Sequence, residues 1–386
     1  AFRRLLDLCE RESPDFLLLA GDVYNQEDAS VSAQLALRDG FRRLESLSIP
    51  VFLVHGNHDP LASRLRSVRW PGNVTVFGEL PDAVPVFRKG EGTPLAIIHG
   101  ASHASGRETR NLAALFRRTE ACGLHVGLLH ATPGDADGVA RYAPFSQGDL
   151  KASGMDYWAL GHIHDRREVC REPLAAYPGC TQGLHINEPG EKGCLLVTAE
   201  ARPDGGYAVR TSFRPLGPAV WKTLDMDLGG AASLDELENR LRTGLDRAVA
   251  EVWSGCEMLL VRLRLQGRTE LDGLLRKGTT CAELADRLRE DGSGVPRIWI
   301  KDIDVATRPC VERGALLERE DLLGEVFRLS EAARTASGLQ ALREGPLAPL
   351  FAHARAGKAL EPLTDEELAR LLDDAESLCL DLLEND

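Results

Sequence analysis

Four stretches of this chain are apolar without polar interruption, and each ends on glycine, aspartate or histidine. Phe16–Ala20 leads into Gly21-Asp22, and Val51–Val54 runs through His55 into Gly56-Asn57-His58-Asp59. Val126–Leu129 leads into His130, and Tyr157–Leu160 into Gly161-His162-Ile163-His164. Short apolar runs of this kind predict strands buried on both faces. Laid side by side, such strands would bring their ends to one edge of a sheet, the edge at which open α/β sheets bind ligands.

Around these runs the pattern alternates between strand and helix as far as residue 215. A helix is predicted over 29–47, with Val31, Leu35, Leu37, Phe41 and Leu44 as its apolar stripe. Another is predicted over 108–121 from Leu112, Leu115 and Phe116. Extended segments follow at Val74–Phe77, Val84–Phe87 and Leu95–Ile98. Past His164 come Arg167–Arg171, Ala175–Tyr177, Cys194–Thr198 and Tyr207–Phe213. The fold class read from this order is α/β, a two-layer β-sandwich flanked by helices. Pro215, Gly217 and Pro218 break the pattern. Residues 216–310 then read as a small α+β domain, with capping boxes expected at Ser233/Glu236 and Thr280/Glu283. Residues 311–386 read as an acidic helical tail. Its last helix opens at Thr364/Glu367 and places Leu368, Leu371, Leu372, Ala375, Leu378, Leu382 and Leu383 on one side. That face would pack on its own domain or dock a partner.

The chain has 386 residues, too many for one compact core, so two or three domains are expected. No stretch approaches the roughly 18 apolar residues of a membrane span. The nine cysteines are scattered singly, without a Cys-x-x-Cys pair, which predicts reduced thiols and a cytoplasmic setting. The net charge of −13 argues against nucleic-acid binding driven by overall charge, yet it allows local basic surfaces. Arg38, Arg42 and Arg43 form one such cluster, Arg107 and Arg110 another. Arg64, Arg66 and Arg69 lie nearest the Gly-Asn-His-Asp segment and are the candidates for phosphate contact.

The strand-end residues carry the candidate chemistry. The side chains of Asp22, Asn57, His58, His130, His162 and His164 offer a carboxylate, an amide oxygen and imidazoles, donors suited to manganese, iron or zinc. Each piece alone has an ordinary reading as a turn or a core histidine; four in order, each after a buried strand, point to a metal site. The spacing of His162 and His164 would put both imidazoles on one face of an extended segment. His55 and His99 follow buried strands and are read as structural or substrate-proximal, and His125 as facing solvent.

Gly21-Asp22, Gly56-Asn57-His58-Asp59, His130 and Gly161-His162-Ile163-His164 resemble the motifs of the calcineurin-like metallophosphoesterase superfamily. Within it the chain is similar to DNA repair exonucleases of the SbcD and Mre-eleven type, and most of all to the bacterial YhaO-like branch. The segments from Leu129-His130-Ala131 to Arg141-Tyr142-Ala143-Pro144, and from Tyr177-Pro178-Gly179 to Lys192-Gly193-Cys194, carry that similarity. The resemblance implies the metallophosphoesterase fold over 1–215, a capping domain over 216–310 and a helical region over 311–386. The superfamily's first motif, Asp-x-His after the first strand, is expected upstream of Ala1, so the chain is read as N-terminally truncated and lacking that strand. Cys180 and Leu184 depart from the polar or basic residues usual in the branch, and Asp165 adds negative charge beside the last motif.

The same resemblance implies a two-metal hydrolysis and a role for each site residue. Two divalent ions, Mn²⁺ by expectation, sit about 3.5–4 Å apart and acidify a shared water that attacks phosphorus in line. Asp22 bridges them, Asn57, His130 and His162 complete one site, and His164 binds the other ion. His58 stabilises or protonates the leaving oxygen, and Asp59 holds that imidazole. The implied function is a DNA exonuclease or endonuclease in double-strand break repair. Its implied partners are DNA and an SMC-like coiled-coil ATPase, with a homodimer as a further arrangement and no membrane. Two alternatives stay open: a small-molecule phosphodiesterase or phosphatase on the same centre, and a non-catalytic scaffold subunit.

Overall fold

A computed structural model describes residues 1–24, 31–62, 69–134, 141–203, 205–290, 294–310, 313–353 and 363–384. Arg64 and Arg66 of the basic candidates lie outside the described residues. The chain divides into two compact units. The first comprises 1–222, 252–260 and 295–297, and the second 223–251, 261–294 and 298–386.

The first unit opens with α1 (Phe2–Glu12), β1 (Leu17–Ala20), α2 (Val31–Ser46), β2 (Val51–Val54) and β3 (Val74–Val76). The three strands form a parallel sheet in the order β1-β2-β3. A second, six-stranded sheet is built from β4 (Asp82–Val86), β5 (Ala96–Ala101), β6 (Leu124–His130), β7 (Tyr157–Gly161), β8 (Arg167–Arg171) and β9 (Leu174–Tyr177). Its order is β4-β5-β6-β7-β9-β8. The hairpin β10 (Gly193–Ala201) and β11 (Tyr207–Pro215) completes the β-structure. The mixed α/β architecture expected from the sequence is present, with one change that matters for function. The four apolar runs do not share one sheet edge. β1 and β2 belong to one sheet, β6 and β7 to the other, and the two sheets bring their strand ends together.

Burial follows this division. β2 and β6 are buried throughout, as their uninterrupted Val, Leu and Phe content requires. β1 is only half-buried along its length, because it lies at the edge of its sheet and pairs with β2 alone among the described residues. Between the sheets lie Phe52, Val54, Phe77, Ile98, Val126, Leu128 and Tyr157, with Val197, Tyr207 and Val209 of the hairpin against them. Outside β2, the helices α1 and α2 bury Leu5, Leu8, Leu37, Phe41 and Leu44. The other face of the larger sheet packs Trp158, Leu160, Leu129 and Tyr177 against Leu112, Phe116 and Leu150. Leu150 comes from α3 (Gln147–Ala152), which a Ser146–Asp149 capping box starts.

The helix predicted over 108–121 is instead a single 3₁₀ turn, Ala113–Leu115. One turn already carries both Leu112 and Phe116 into the core, so no longer helix is needed to bury them. His125 is not at the surface: it is fully buried and its Nδ1 lies 2.9 Å from Nε2 of His99.

β12 (Ala219–Asp227), β13 (Met258–Thr269) and β14 (Arg297–Pro309) form a three-stranded sheet in that order, most of whose residues belong to the second unit. It is accompanied by α4 (Leu234–Ala250), α5 (Asp272–Leu275) and α6 (Thr280–Glu290). Ser233 caps α4 by accepting from the Glu236 N–H. Thr280 lies inside α6 rather than capping it, since the helix begins at that residue. The remainder is helical: α7 (Arg313–Leu317), α8 (Leu322–Ala333), α9 (Ala336–Glu344), α10 (Ala348–Ala352) and α11 (Asp365–Glu384). The expected Thr364–Glu367 capping box is formed. The buried face of α11 differs from the expected leucine stripe. Leu368, Glu376 and Leu380 point inward, while Leu371, Leu378 and Leu382 are exposed. Glu376 lies inside with Arg313 and Arg334, which hold its carboxylate at 2.8 and 3.1 Å.

Candidate metal centre

The ends of β1, β2, β6 and β7 each deliver one donor to a common point. His130 closes β6, and its side chain is almost fully buried. Its Nδ1–H donates to the Ala20 carbonyl at 2.8 Å, which fixes the tautomer and leaves Nε2 as a lone pair. That lone pair faces two oxygens, Asn57 Oδ1 at 3.0 Å and Asp22 Oδ2 at 3.2 Å. His162 Nδ1 lies 3.2 Å from the same Asn57 oxygen. The donor atoms of Asp22, His130 and His162 all lie within 4.8 Å of one another. Lone pairs converging on one point repel unless a proton or cation lies between them. A carboxylate, an amide oxygen and two imidazoles are a donor set for a borderline or hard divalent ion, so these residues fit the metal implied by the sequence.

The backbone at this point is shaped for the purpose. Asp22 and His162 both have positive φ, 50° and 103°, a conformation that non-glycine residues seldom adopt and that clusters at functional sites. Two glycines allow the close approach of the strand ends. A Cβ on Gly161 would stand 1.8 Å from the Ala20 carbonyl oxygen, and one on Gly56 would stand 2.2 Å from Asp22 Oδ1.

Burial pushes the Asp22 carboxyl up, but a proton on His130 Nε2, which would bring both a hydrogen bond and a charge, outweighs it together with the His58 backbone N–H and lowers Asp22 to about 2. His58 is exposed, and its N–H donates to Asp22 Oδ1 at 2.9 Å. Asp59 is fully buried. Its oxygens accept from the N–H groups of Gly56, Asp22 and Val23 at 2.7, 3.1 and 3.0 Å, so it ties the β2 turn to the β1 turn. The imidazole it faces is that of His55, at 3.5 Å, rather than the His58 ring named from the motif.

His164 is placed differently from the other expected ligands. Because His162 is in the left-handed region, the segment is not extended through the Gly-His-x-His motif and the two imidazoles do not share a face. His164 is exposed, and its Nδ1 lies 2.5 Å from Glu188 Oε1. With Cys180 these two form a separate donor group.

Two further residues belong to the site. His103 is fully buried beyond the end of β5, and its Nε2–H donates to the His130 carbonyl at 2.6 Å. Burial, joined by repulsion from His130 whenever that ring is protonated, depresses its pKa to about 4, which keeps it neutral at physiological pH. Tyr142 packs its ring edge-on against His162, with centroids 5.3 Å apart. His103 follows a buried strand as the motif histidines do, which was the available signal; nothing in the sequence marked it as the support for His130. His99 lies inside β5 against His125, and His55 follows β2 beside Asp59. The clusters at Arg38–Arg43 and Arg110 are paired with Asp39, Asp7, Glu10 and Glu108.

Comparison with known proteins points the same way. A family model for calcineurin-like phosphoesterases matches residues 1–166, and one for the middle domain of metallophosphoesterase YhaO matches residues 221–308. The uncharacterized metallophosphoesterase YhaO of Bacillus subtilis is 34% identical over 354 residues, covering 89% of this chain and 82% of that protein. The DNA double-strand break repair protein Mre11 of Aeropyrum pernix is 27% identical, covering 65% of this chain and 62% of that protein. Its counterpart from Haloferax volcanii is 24% identical, covering 86% and 72%. Among the described residues no helix is long and apolar enough to cross a membrane.

Proposed function

We propose a substrate and a chemistry for a chain that belongs to the metallophosphoesterase family represented by YhaO, with a calcineurin-like phosphoesterase domain. It is a hydrolase of phosphoesters, and the proposed substrate is the phosphodiester backbone of DNA, cleaved as an exonuclease or endonuclease. The observation that supports a metal-dependent reaction is the meeting of the ligand atoms of Asp22, Asn57, His130 and His162 at one point. The similarity to Mre11 proteins supports DNA over other diesters.

Asp22, Asn57, His130 and His162 would hold one divalent ion, Mn²⁺ in this proposal, and His164 would donate to a second. When bound, such ions neutralise phosphate charge and lower the pKa of water enough to make a nucleophile at neutral pH. The chain's own residues do the rest. In this proposal the Asp22 carboxylate would be shared between the two ions. His130 is kept as a Nε2 donor by its bond to Ala20 and by His103 behind it. His58 is exposed at the rim, and its imidazole would give a proton to the leaving oxygen. Asp59 would position this turn through the backbone. The proposed partner is a coiled-coil ATPase subunit, and the exposed row Leu371, Leu378 and Leu382 of α11 supports a helical contact there.

The test is cleavage of linear duplex DNA and of a chromogenic phosphodiester with Mn²⁺. DNA cleavage that stops with chelator and in His130→Ala is the expected result. No hydrolysis with any divalent ion, or full activity in His130→Ala, overturns the reading. The net charge of −13 favours a second reading, a small-molecule phosphodiesterase, which turnover of the chromogenic diester without DNA cleavage would establish.

A further inference from the structure

The loop between β9 and β10 packs on the end of the Gly-His-x-His segment and holds His164 at both its backbone and its ring. The Cys180 N–H donates to the His164 carbonyl at 3.3 Å. Lys192 Nζ, on a side chain only 7% exposed, reaches the same oxygen at 3.4 Å. The crossing is close, since a Cβ on Gly179 would stand 2.7 Å from that oxygen. The ring is held by Glu188, whose side chain is 9% exposed. Its Oε2 accepts from the Leu184 N–H at 2.7 Å, and its Oε1 lies 2.5 Å from His164 Nδ1 and 3.6 Å from His185 Nε2. Two lone pairs do not approach to 2.5 Å, so a proton lies between His164 and Glu188. A carboxylate that accepts on both oxygens leaves that proton on the ring. Neutral His164 therefore carries its proton on Nδ1 and a lone pair on Nε2. His130 is brought to the same state by the Ala20 carbonyl. The two rings differ in their surroundings: His130 is 1% exposed among the strand ends, whereas His164 is 54% exposed and has little packing to fix it.

We propose that Glu188 is a positioning residue of the metal centre, fixing both the tautomer and the orientation of His164 so that Nε2 is its donor atom. The inference rests on the reading that His164 donates to the second ion, and it names the residue on which that donation depends. A carboxylate behind a ligating imidazole orients the ring and raises its basicity. For an exposed histidine this support replaces the packing that His130 receives from the core. Leu184 takes part through its backbone N–H alone, so the apolar side chain at that position costs the arrangement nothing. Glutamine is the discriminating substitution at 188. It has one acceptor oxygen where the carboxylate has two. With that oxygen kept by the Leu184 N–H, the amide NH₂ faces His164 Nδ1 and, as a donor, drives the ring proton to Nε2.

Imidazole ¹⁵N–¹H correlation spectra of the metal-free full chain, labelled at histidine and held at about pH 8, above the ordinary imidazole range, report the tautomer. His164→Gln assigns the signal. The parent should show the His164 proton on Nδ1, and Glu188→Gln should move most of the population to Nε2. Equilibrium dialysis against Mn²⁺ should find two ions in the parent. The ion that His164→Gln loses should bind about tenfold less tightly in Glu188→Gln, with the other unchanged. The same tautomer in both proteins, or an unchanged affinity for that ion, overturns the role of Glu188 and leaves the two-ion reading intact. A parent that shows the Nδ1 proton yet takes up one ion only overturns the two-ion reading, and this role falls with it.

Discussion

Two donor groups come from neighbouring stretches of this chain, and they are held in opposite ways. Asp22, Asn57, His130 and His162 sit at strand ends or the first turn beyond them. His130 is buried, and each is within hydrogen-bond reach of another member. His164, Cys180, His185 and Glu188 sit on loops, with both imidazoles more than half exposed and only Glu188 buried. His162 and His164 are two residues apart yet belong to different groups, because the backbone turns at His162. Closeness in sequence sets which residues are available; the backbone conformation between them sets which ones meet.

The most damaging way to break this contrast is at the strand ends. Gly161→Ala forces a Cβ onto the Ala20 carbonyl, a backbone atom that cannot swing aside. A loss of about 4–5 kcal/mol is expected by chemical denaturation, at the upper end for single substitutions. His58→Ala should lower phosphodiester turnover by about 10²–10⁴-fold while leaving metal stoichiometry intact, since its side chain is expected at the leaving group and not on the ion. Steady-state kinetics beside metal analysis separates the two.

Acid should weaken the scaffold under the strand ends. Burial, followed by the His125 charge, depresses His99 from 6.5 to about 4. The unfolded chain therefore binds the proton first as pH falls. Stability from this residue is fully present above pH 6.5 and is lost between there and about 4, on the order of 3 kcal/mol in all. Denaturant midpoints at pH 7 and pH 5 measure it, and His99→Phe should flatten the difference. The smallest effect is expected in the loop group. Glu188→Gln should weaken binding of the second ion about tenfold, the low end for a partner that orients a ligand, since Glu188 faces His164 Nδ1. A larger loss there than in His58→Ala turnover would reverse the ranking of the two regions.

Much of the strand-end group was legible in the sequence, because uninterrupted apolar runs identify buried strands and a functional residue at each end follows from where such strands stop. What could not be read was the partition of those strands between two sheets. Leu17–Ala20 and Tyr157–Leu160 look alike in composition, and only tertiary packing assigns them to different layers. The alternation rule failed at His162 for a related reason: it presumes extended backbone, and tertiary contacts hold this residue at positive φ. His125 was misplaced because a histidine at a strand start reads as polar, whereas pairing with His99 and the Ala121 carbonyl satisfies it inside. On α11, Glu376 was buried against expectation because two arginines over forty residues away in sequence receive it.

The gathering of ligand atoms around Asn57 Oδ1 has a thermodynamic corollary. An ion that binds these atoms only in the folded chain would contribute to folding free energy, and so act as a structural component as well as a reagent. At a hundredfold excess over its dissociation constant, a divalent ion that binds only the native state should add about 2.7 kcal/mol, and a chelator should remove it. Melting temperature should therefore track free metal concentration even in a variant that hydrolyses nothing.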